Sequence, residues 1–298
     1  MKNGLYLLLI AVASACQLLA QSSGTEKSEV IKKEITLDNV NEGKLYIRNI
    51  FGSLDIQGYD GNKIILEVKK SLKVKSASKL EATWAETDLG VVQKGNAVLF
   101  YPKSPCTNPA ISEVSPEDWD KHNQLYLNNC QWKYDGEVKY DYVVKVPKSL
   151  MLSVATINNG NIIIKDVNAK MWVNNINGGI KLENIGGATE ARTINGDVDL
   201  KYVSNPNEDS YYYTLNGNIN ANFKKGLASN LYFKSYNGDF YTELEDNILQ
   251  TLPVDIEKAS ENKGVKYKVG GRAGVKVRQG GPRLDFETFN GNVYVTEQ

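Results

Sequence analysis

The chain has 298 residues, with 35 basic and 35 acidic residues and a formal net charge of zero. Nucleic-acid-binding proteins usually carry a basic excess or a basic stripe. Here the locally basic stretch 258–278 is interrupted by alternating apolar residues and glycines, which indicates a solvated face, so we expect no nucleic-acid partner. The single histidine, His122, argues against Ser-His-Asp and Cys-His catalysis.

The amino terminus has the pattern of an export signal. Lys2 precedes an apolar stretch at 5–15 and small residues up to position 20, too short to favour a membrane span. Two processing outcomes remain open. Cleavage near residue 20 gives a signal peptide at 1–20, whereas the loose lipobox at 13–16 gives a lipoprotein signal that ends before Cys16, with a lipid on Cys16. We therefore expect an exported protein in the periplasm, on the outer-membrane surface or secreted.

The segment after the signal predicts a leader, strands and one short helix. Residues 21–29 are small and polar, which is typical of a flexible leader. Apolar and polar residues then alternate, which predicts strands at about 30–37, 43–50, 53–57 and 62–70. Leu80 and Trp84 lie at helical spacing, and Ser78 with Glu81 forms a capping-box pattern. A short helix is therefore expected within 76–90.

An irregular insert is expected at 102–135, where four prolines, two cysteines and two tryptophans interrupt the alternation. In an exported chain, Cys106 and Cys130 form an even pair, which predicts a disulfide. A zinc site would need more ligands than His122 adds, so we expect no metal. Trp119 and Trp132 are either a small core around the disulfide or an aromatic pair that stacks on a sugar ring.

The second half of the chain repeats an Asn-Gly turn followed by alternating apolar residues. The glycines recur at equal steps from Gly160 through Gly178 to Gly196, and then at slightly longer steps to Gly217 and Gly238. The expected turn residues are Asn159, Gly160, Asn177, Gly178, Asn195, Gly196, Asn216, Gly217, Asn237, Gly238, Asn290 and Gly291.

A fixed period of roughly 20 residues with alternating strands is typical of a solenoid. We expect an all-β, single-stranded β-helix-like stack of two-strand coils, each of about 18–21 residues, in one domain at 30–298. Its inward column would be Ile162, Ile180, Val198, Ile219 and Phe240. The rival fold is an antiparallel meander of Asn-Gly hairpins. The asparagines serve either as turn residues alone or as a hydrogen-bonded ladder along the stack.

The Asn-Gly units, the export signal and the cysteine-bearing insert together resemble the bacterial putative-adhesin β-repeat proteins. This is a domain family of unknown function that is common in Bacteroidetes-type genomes. The resemblance covers roughly residues 40–298. It implies a β-helix-like, single-domain envelope protein with no established enzymatic activity, and we expect no cofactor.

Alternation places Tyr211 and Tyr213 on one face and Tyr212 on the other. Exposed aromatic residues can bind glycans, although strands favour tyrosine in any case.

We expect a non-enzymatic envelope protein that acts as an adhesin or as a binding and scaffolding surface. Its expected partner is an envelope protein or a surface glycan. Its only expected contact with a membrane is a possible lipid anchor. The alternatives are a periplasmic partner-binding or sensor-associated module and, less favoured, a polysaccharide-active enzyme with paired carboxylates.

Overall fold

The computed structural model describes residues 25–121, 125–126, 136–253, 256–261, 264–269 and 272–298, with the backbone alone at 256–261 and 264–269. The expected export signal and Cys16 lie outside the described residues, as do His122, Cys130 and Trp132. Cys106 lies within them but Cys130 does not, so the disulfide between the two stays a prediction.

The first half of the described chain contains strands and one short helix. The strands are β1 (Thr25–Thr36), β2 (Lys44–Arg48), β3 (Leu54–Tyr59), β4 (Lys63–Val74), β5 (Asp88–Lys94), β6 (Ala97–Lys103) and β7 (Gly136–Pro147). The helix α1 spans Leu80–Glu86, and single 3-10 turns occur at Val40–Glu42, Ala77–Lys79, Pro116–Asp118 and, later in the chain, Asp246–Ile248.

The remaining strands include the Asn-Gly repeats. They are β8 (Met151–Thr156), β9 (Ile162–Lys165), β10 (Met171–Asn175), β11 (Ile180–Ile185), β12 (Thr189–Asn195), β13 (Val198–Tyr202), β14 (Ser210–Asn216) and β15 (Ile219–Phe223). They continue with β16 (Ser229–Asn237), β17 (Phe240–Thr242), β18 (Leu249–Leu252), β19 (Ile256–Glu261), β20 (Gly264–Val269), β21 (Ala273–Val277), β22 (Arg283–Asn290) and β23 (Val293–Glu297).

These strands form two large mixed sheets. Sheet A has ten strands in the order β1-β4-β7-β3-β9-β11-β13-β15-β23-β17. Sheet B has eleven in the order β18-β21-β16-β22-β14-β12-β10-β8-β2-β6-β5, and β19 pairs with β20 alone. The inner faces of sheets A and B contribute the residues of one hydrophobic core. The prediction of an all-β chain with one short helix is confirmed for the described residues.

The predicted single stack of two-strand coils is wrong. In such a stack each strand would pair with the next coil in chain order, but β23 lies between β15 and β17, and β22 lies between β14 and β16. Antiparallel pairs also occupy the sheet ends, as in β1 with β4 and β16 with β21. The chain leaves after β17 and returns at β22 and β23 to pair with strands already formed, so the sheets are mixed.

The inward apolar column shows the same rearrangement. Ile162, Ile180, Val198 and Ile219 pair in sequence on parallel strands, as expected, but the next partner of Ile219 is Val293, which in turn pairs with Phe240. Val293 is buried like the isoleucines. Valine and isoleucine are both favoured on strands, so the column itself does not specify which repeat follows which.

The Asn-Gly turns carry the chain from sheet B to sheet A, and their asparagines form a ladder. Each Nδ2 donates to the Oδ1 of the preceding rung at 2.7–2.8 Å. The rungs are Asn158, Asn177, Asn195, Asn216, Asn290 and Asn237, in this spatial order. The first rung is Asn158 and not the expected Asn159. Asn159 instead adopts φ 57° beside the turn, because this copy has one extra residue.

The residue two positions before each asparagine fixes the spacing of the turns. Thr214 Oγ1 donates to the carbonyl of Gly196 at 2.7 Å, and Thr193 Oγ1 donates to that of Gly178 at 2.8 Å. The glycines permit this close approach. A Cβ on Gly217 would lie 2.2 Å from the Gly196 oxygen, and Gly217 has φ 154°. The Thr-x-Asn-Gly phrase therefore encodes tight parallel stacking at one corner of the two sheets.

The amino-terminal end differs from the expectations in two details. The predicted flexible leader at 21–29 overlaps β1, which begins at Thr25 and pairs with β4 along its whole length. The short helix α1 is present, but its N-cap is Lys79 with no side-chain hydrogen bond. The capping box of Ser78 and Glu81 is therefore wrong, because Ser78 lies in the preceding 3-10 turn.

Candidate functional site

The outer face of sheet B carries a row of alternating aromatic and acidic residues. Trp172 on β10 pairs with Glu190 on β12, which pairs with Tyr211 on β14. Tyr211 pairs with Asp285 on β22, which pairs with Tyr232 on β16. Because adjacent strands lie 4.7–4.9 Å apart, the three aromatic residues recur about every 10 Å. These five residues are called the aromatic row below.

A second row runs beside the aromatic row, two residues further along each strand. It consists of Asn174, Arg192, Tyr213, Glu287 and Lys234, which are paired in this order. Tyr213 stacks on Tyr211 with a ring separation of 6.4 Å. The predicted outward orientation of Tyr211 and Tyr213 is thus observed. Tyr212 faces inward, where its hydroxyl lies 2.8 Å from that of Tyr202.

The carboxylates of this face are held by cations. Glu287 accepts hydrogen bonds from Lys234 at 2.8 Å, from Arg272 at 3.0 Å and from the Tyr211 hydroxyl at 3.0 Å. Burial alone would raise the pKa of Glu287, but these three donors outweigh it and hold the pKa below its ordinary value. Asp285 accepts from Arg283 at 2.6 Å and from Arg272 at 3.2 Å. The network favours the ionised form of Glu287 and holds the Asp285 carboxylate in position.

Each aromatic residue of the row also has a cation near its ring. The Arg283 guanidinium lies 3.9 Å from the Tyr232 ring centroid, and that of Arg192 lies 4.6 Å from the Tyr211 ring. The Lys44 ammonium lies 4.1 Å from the Trp172 ring. Such cation–π contacts contribute about 0.5–1 kcal/mol each at exposed sites, so they hold the rings in place on the sheet.

The insert closes one end of this face. It packs Trp119 edge-on against Tyr46 of β2 at 5.2 Å, within a second hydrophobic cluster over β2 and β6. Trp119 has 0% exposure, so it forms a small core and has no surface left to stack on a sugar ring. Arg48 anchors the insert by donating to the Trp119 carbonyl at 3.1 Å and to Ser153, and it also contacts Asp120. The described part of the insert packs over β2 and β6, and within the described residues Trp172, Tyr211 and Tyr232 stay partly exposed.

A shallow depression of about 270 Å³ lies along the open part of the face. Its lining includes Lys170, Trp172, Glu190, Asp209, Tyr211, Arg283 and Asp285. A larger depression of about 390 Å³ lies on the outer face of sheet A, but its only aromatic lining residue is Tyr294. The depression of sheet B is thus lined by two aromatic residues, Trp172 and Tyr211, and that of sheet A by one.

Trp172 and Tyr232 were not recognised from the sequence because each lies inside an apolar run, Met171-Trp172-Val173 and Leu231-Tyr232-Phe233. In such runs the alternation of apolar and polar residues cannot be recognised. The repeat period was the usable signal. Near-equal steps along the sequence, close to those of the turn glycines, lead from Trp172 to Glu190, Tyr211 and Tyr232.

Two further properties of the described residues bear on function. Within them, no group of three or more His, Cys, Asp and Glu side chains is placed to hold a metal ion. Among the described ranges, no helix has the length and apolar character required to span a membrane.

No protein-family model and no curated protein matches the sequence. Among solved structures, the chain is similar to a putative cell adhesion protein from Clostridium sporogenes, with 11% identity, TM-score 0.39 and coverage of 91% of this chain and 100% of the other. It is also similar to a putative adhesin from Bacteroides fragilis, with 12% identity, TM-score 0.31 and coverage of 91% and 97%. A putative lipid binding protein from Parabacteroides distasonis has 11% identity, TM-score 0.25 and coverage of 90% and 96%. With TM-scores below 0.5, these similarities establish neither the family nor the ligand of this chain.

Proposed function

We propose that the chain is a non-enzymatic, exported binding protein of the cell envelope whose glycan-binding surface is the aromatic row on the outer face of sheet B. The observation that carries the proposal is the alternation of Trp172, Tyr211 and Tyr232 with Glu190 and Asp285 across five adjacent strands. Aromatic rings and fixed polar groups are the two kinds of partner that a sugar ring needs, because it has apolar C–H faces and polar hydroxyl edges.

The spacing of the row supports an extended ligand. Aromatic residues on every second strand recur about every 10 Å, which is close to the length of a disaccharide unit in an extended glycan chain. An extended glycan lying across the strands would meet one aromatic ring per disaccharide. Its hydroxyls would face the carboxylates of the intervening strands, which are already oriented by Arg192, Arg272 and Arg283.

The state of the carboxylates supports binding over hydrolysis. Glycosidases need one carboxylic acid whose pKa is raised so that it can protonate the leaving oxygen. On this face, Glu287 has a lowered pKa, and Asp285 is paired with two guanidinium groups. Glu287 is therefore suited to accepting hydrogen bonds from sugar hydroxyls and unsuited to donating a proton, and the Asp285 carboxylate is held in place beside it.

The test is a panel of immobilised polysaccharides probed with the purified protein. Trp172→Ala and Tyr232→Ala are each expected to weaken binding by up to about tenfold, because an aromatic contact contributes about 0.5–1.5 kcal/mol beyond the area that it buries. The matched control is Tyr294→Ala on sheet A, which should change the affinity less than about twofold. Absence of binding to every polysaccharide, or an equal loss in the Tyr294 variant, contradicts the proposal, and release of reducing ends would show an enzyme instead.

A second candidate function, binding of a protein partner in the periplasm, is favoured by a different surface. The residues that precede the Asn-Gly asparagines form an apolar ridge beside the ladder, on which Tyr236 is 67% exposed and stacks on Phe289 at 4.7 Å. Large exposed apolar surfaces often mark protein interfaces. If this is the main function, Phe289→Glu should abolish recovery of a partner from envelope extracts, whereas Trp172→Ala should leave it unchanged.

A further inference from the structure

Lys44 lies at the end of the aromatic row, where the open face meets the insert. Its ammonium group is placed between two aromatic rings, 4.5 Å from the Tyr46 centroid and 4.1 Å from the Trp172 centroid. The side chain is half-buried. Among the described residues, no carboxylate or other hydrogen-bond acceptor contacts its Nζ. A partly desolvated ammonium with three donors and no acceptor is costly unless a ligand or water completes its hydrogen bonds.

Two further cations lie beside the rings that Lys44 contacts. The Lys170 ammonium lies 5.3 Å from the centroid of the Trp172 ring, and the Arg48 guanidinium lies 5.6 Å from that of the Tyr46 ring. Burial, then Arg48, lowers the pKa of Lys44, with a smaller contribution of the same sign from Lys170. Glu117 opposes this effect without contacting the ammonium.

Within the described chain, the neighbouring anions contact the other cations of the corner and not Lys44. Lys170 pairs with Glu208 at 3.4 Å, but the two side chains are 45% and 63% exposed, and such surface pairs are weak. Arg48 is engaged with Asp120 and the insert. Further along the face, Glu190, Asp285 and Glu287 each have their own cations. Among the described residues, Lys44 is therefore a cation of this corner that no carboxylate contacts, and Lys170, whose pair with Glu208 is weak, lies beside the same indole ring.

We infer that Lys44, Lys170 and Trp172 form a subsite for an acidic sugar, in which an oxyanion accepts hydrogen bonds from the lysines while the sugar ring contacts the indole. The inference rests on the proposed glycan-binding function. The oxyanion is either the carboxylate of a uronic acid or the sulfate group of a sulfated sugar. Both groups offer anionic oxygen acceptors to an ammonium group. The rest of the aromatic row would contact the C–H faces of the following sugar rings.

The test compares polymers that differ only in charge. Polygalacturonate is paired with its fully methyl-esterified form, and dextran sulfate with dextran, by calorimetry at fixed salt. We expect the wild type to bind at least one acidic polymer about tenfold more tightly than its uncharged partner, the effect of one charge-assisted contact of about 1.4 kcal/mol. Preference for the first or the second acidic polymer identifies the carboxylate or the sulfate ester as the source of the oxyanion.

Variants assign the preference to this corner. Lys44→Met keeps an apolar chain between the rings and should abolish the preference for the acidic polymer. Lys170→Met should remove most of this preference, whereas Lys44→Arg should retain it. Lys201→Met removes an exposed lysine of sheet A and is the matched control. An equal loss in the Lys201 variant would mean a non-specific charge effect, and an unchanged preference in Lys44→Met would place the oxyanion elsewhere. Either result overturns the inference.

A monomer titration separates this inference from the proposed function. The indole N–H resonance of Trp172, assigned with Trp172→Phe, should shift with galacturonate or galactose 6-sulfate but not with galactose, and only when Lys44 is present. If uncharged and charged polymers bind equally through Trp172, the subsite is wrong and the proposed function stands. If no polymer binds but the acidic monomers produce the shift, the subsite stands and the proposed function is wrong. If neither occurs, both are wrong.

Discussion

The Asn195 side-chain amide donates a 2.8 Å hydrogen bond to the Asn177 side-chain oxygen, which lies 18 residues earlier in the chain. Asn195 in turn accepts a 2.8 Å hydrogen bond from Asn216. An amide has both a donor and an acceptor group, so identical side chains stacked at the strand spacing can bond to one another in series. This arrangement links strands that are distant in sequence and holds the corner from which both outer faces extend.

The ladder predicts a stability effect at an exposed position. Asn195→Ala removes one donated and one accepted hydrogen bond, and we expect it to lower the free energy of unfolding by about 1 kcal/mol, since water replaces part of each bond. Asn174→Ala, at an exposed position on the adjacent strand β10, is the control and should cost less than about 0.5 kcal/mol. Urea unfolding measures both. Equal losses in the two variants would mean that the ladder contributes nothing.

The turn glycines predict a larger effect with a steric cause. Gly217→Ala places a Cβ 2.2 Å from the Gly196 carbonyl oxygen at φ 154°, and we expect a loss of more than about 2 kcal/mol. Gly95 has φ 56°, and a Cβ added there meets no atom within 4 Å. Gly95→Ala should therefore cost only the strain of the left-handed backbone conformation, about 1–2 kcal/mol of stability. Thermal unfolding of the two variants compares close packing with backbone conformation. A larger loss at Gly95 would contradict the account.

The local features of the fold were accessible from the sequence, and the long-range order was not. Alternation and the Asn-Gly period located the strands, the turns and the inward column from Ile162 to Ile219, because these depend on neighbouring residues. Val293 pairs with both Ile219 and Phe240. Several repeats have a similar apolar residue at this position, so the sequence does not indicate which repeat lies next to which. Residues 254–255, 262–263 and 270–271, which interrupt that part of the chain, lie outside the described ranges. The assumption that spatial order follows chain order produced the wrong single stack.

Arg48 predicts a coupling between the insert and sheet B. Its guanidinium donates to the Trp119 carbonyl and to the Ser153 carbonyl at 3.1 and 2.7 Å. Arg48→Met should therefore expose the insert to limited proteolysis and destabilise the fold by about 1–3 kcal/mol, because buried acceptors lose charged donors. Arg192→Met, whose side chain is half-exposed and pairs with Glu190, should leave insert cleavage unchanged. Equal protection of the insert in the Arg48 variant would show that packing of Trp119 alone is sufficient.

Glu287 predicts the pH dependence of the charged row. Its folded-state pKa lies below the unfolded value of about 4.3. Its stabilisation is thus present above the unfolded pKa and is lost as the pH falls through the folded pKa. Glu287→Gln should cost about 1 kcal/mol at pH 7, a value reduced by the partial exposure of its partners, and the difference from the wild type should shrink as the pH is lowered from about 7 to about 3. A difference that grows on acidification has the wrong sign for this account.

The control for the pH experiment is an exposed ion pair. Glu34 pairs with Lys63 at 3.1 Å, but the side chains are 60% and 45% exposed. Glu34→Gln should change the free energy of unfolding by less than about 0.5 kcal/mol at both pH values. A shift as large as that of Glu287→Gln would assign the pH effect to general surface charge.

The candidate site was partly accessible from the sequence. Tyr211 and Tyr213 were found because Tyr212 separates them by one position. Trp119 was open to two interpretations, since its packing partner Tyr46 lies on a strand that is distant in sequence and cannot be assigned from spacing. Lys44 was not recognised, because its proximity to Trp172 arises only when β2 and β10 both pair with β8.

The measurement that tests the account most directly is hydroxyl-radical footprinting of the protein with and without a polysaccharide that it binds. The account predicts protection of Trp172, Tyr211 and Tyr232 on sheet B, together with unchanged oxidation of Tyr241 and Tyr294, which are exposed on sheet A. Protection of Tyr241 and Tyr294 with no change on the aromatic row would contradict it and place the binding surface on the opposite sheet.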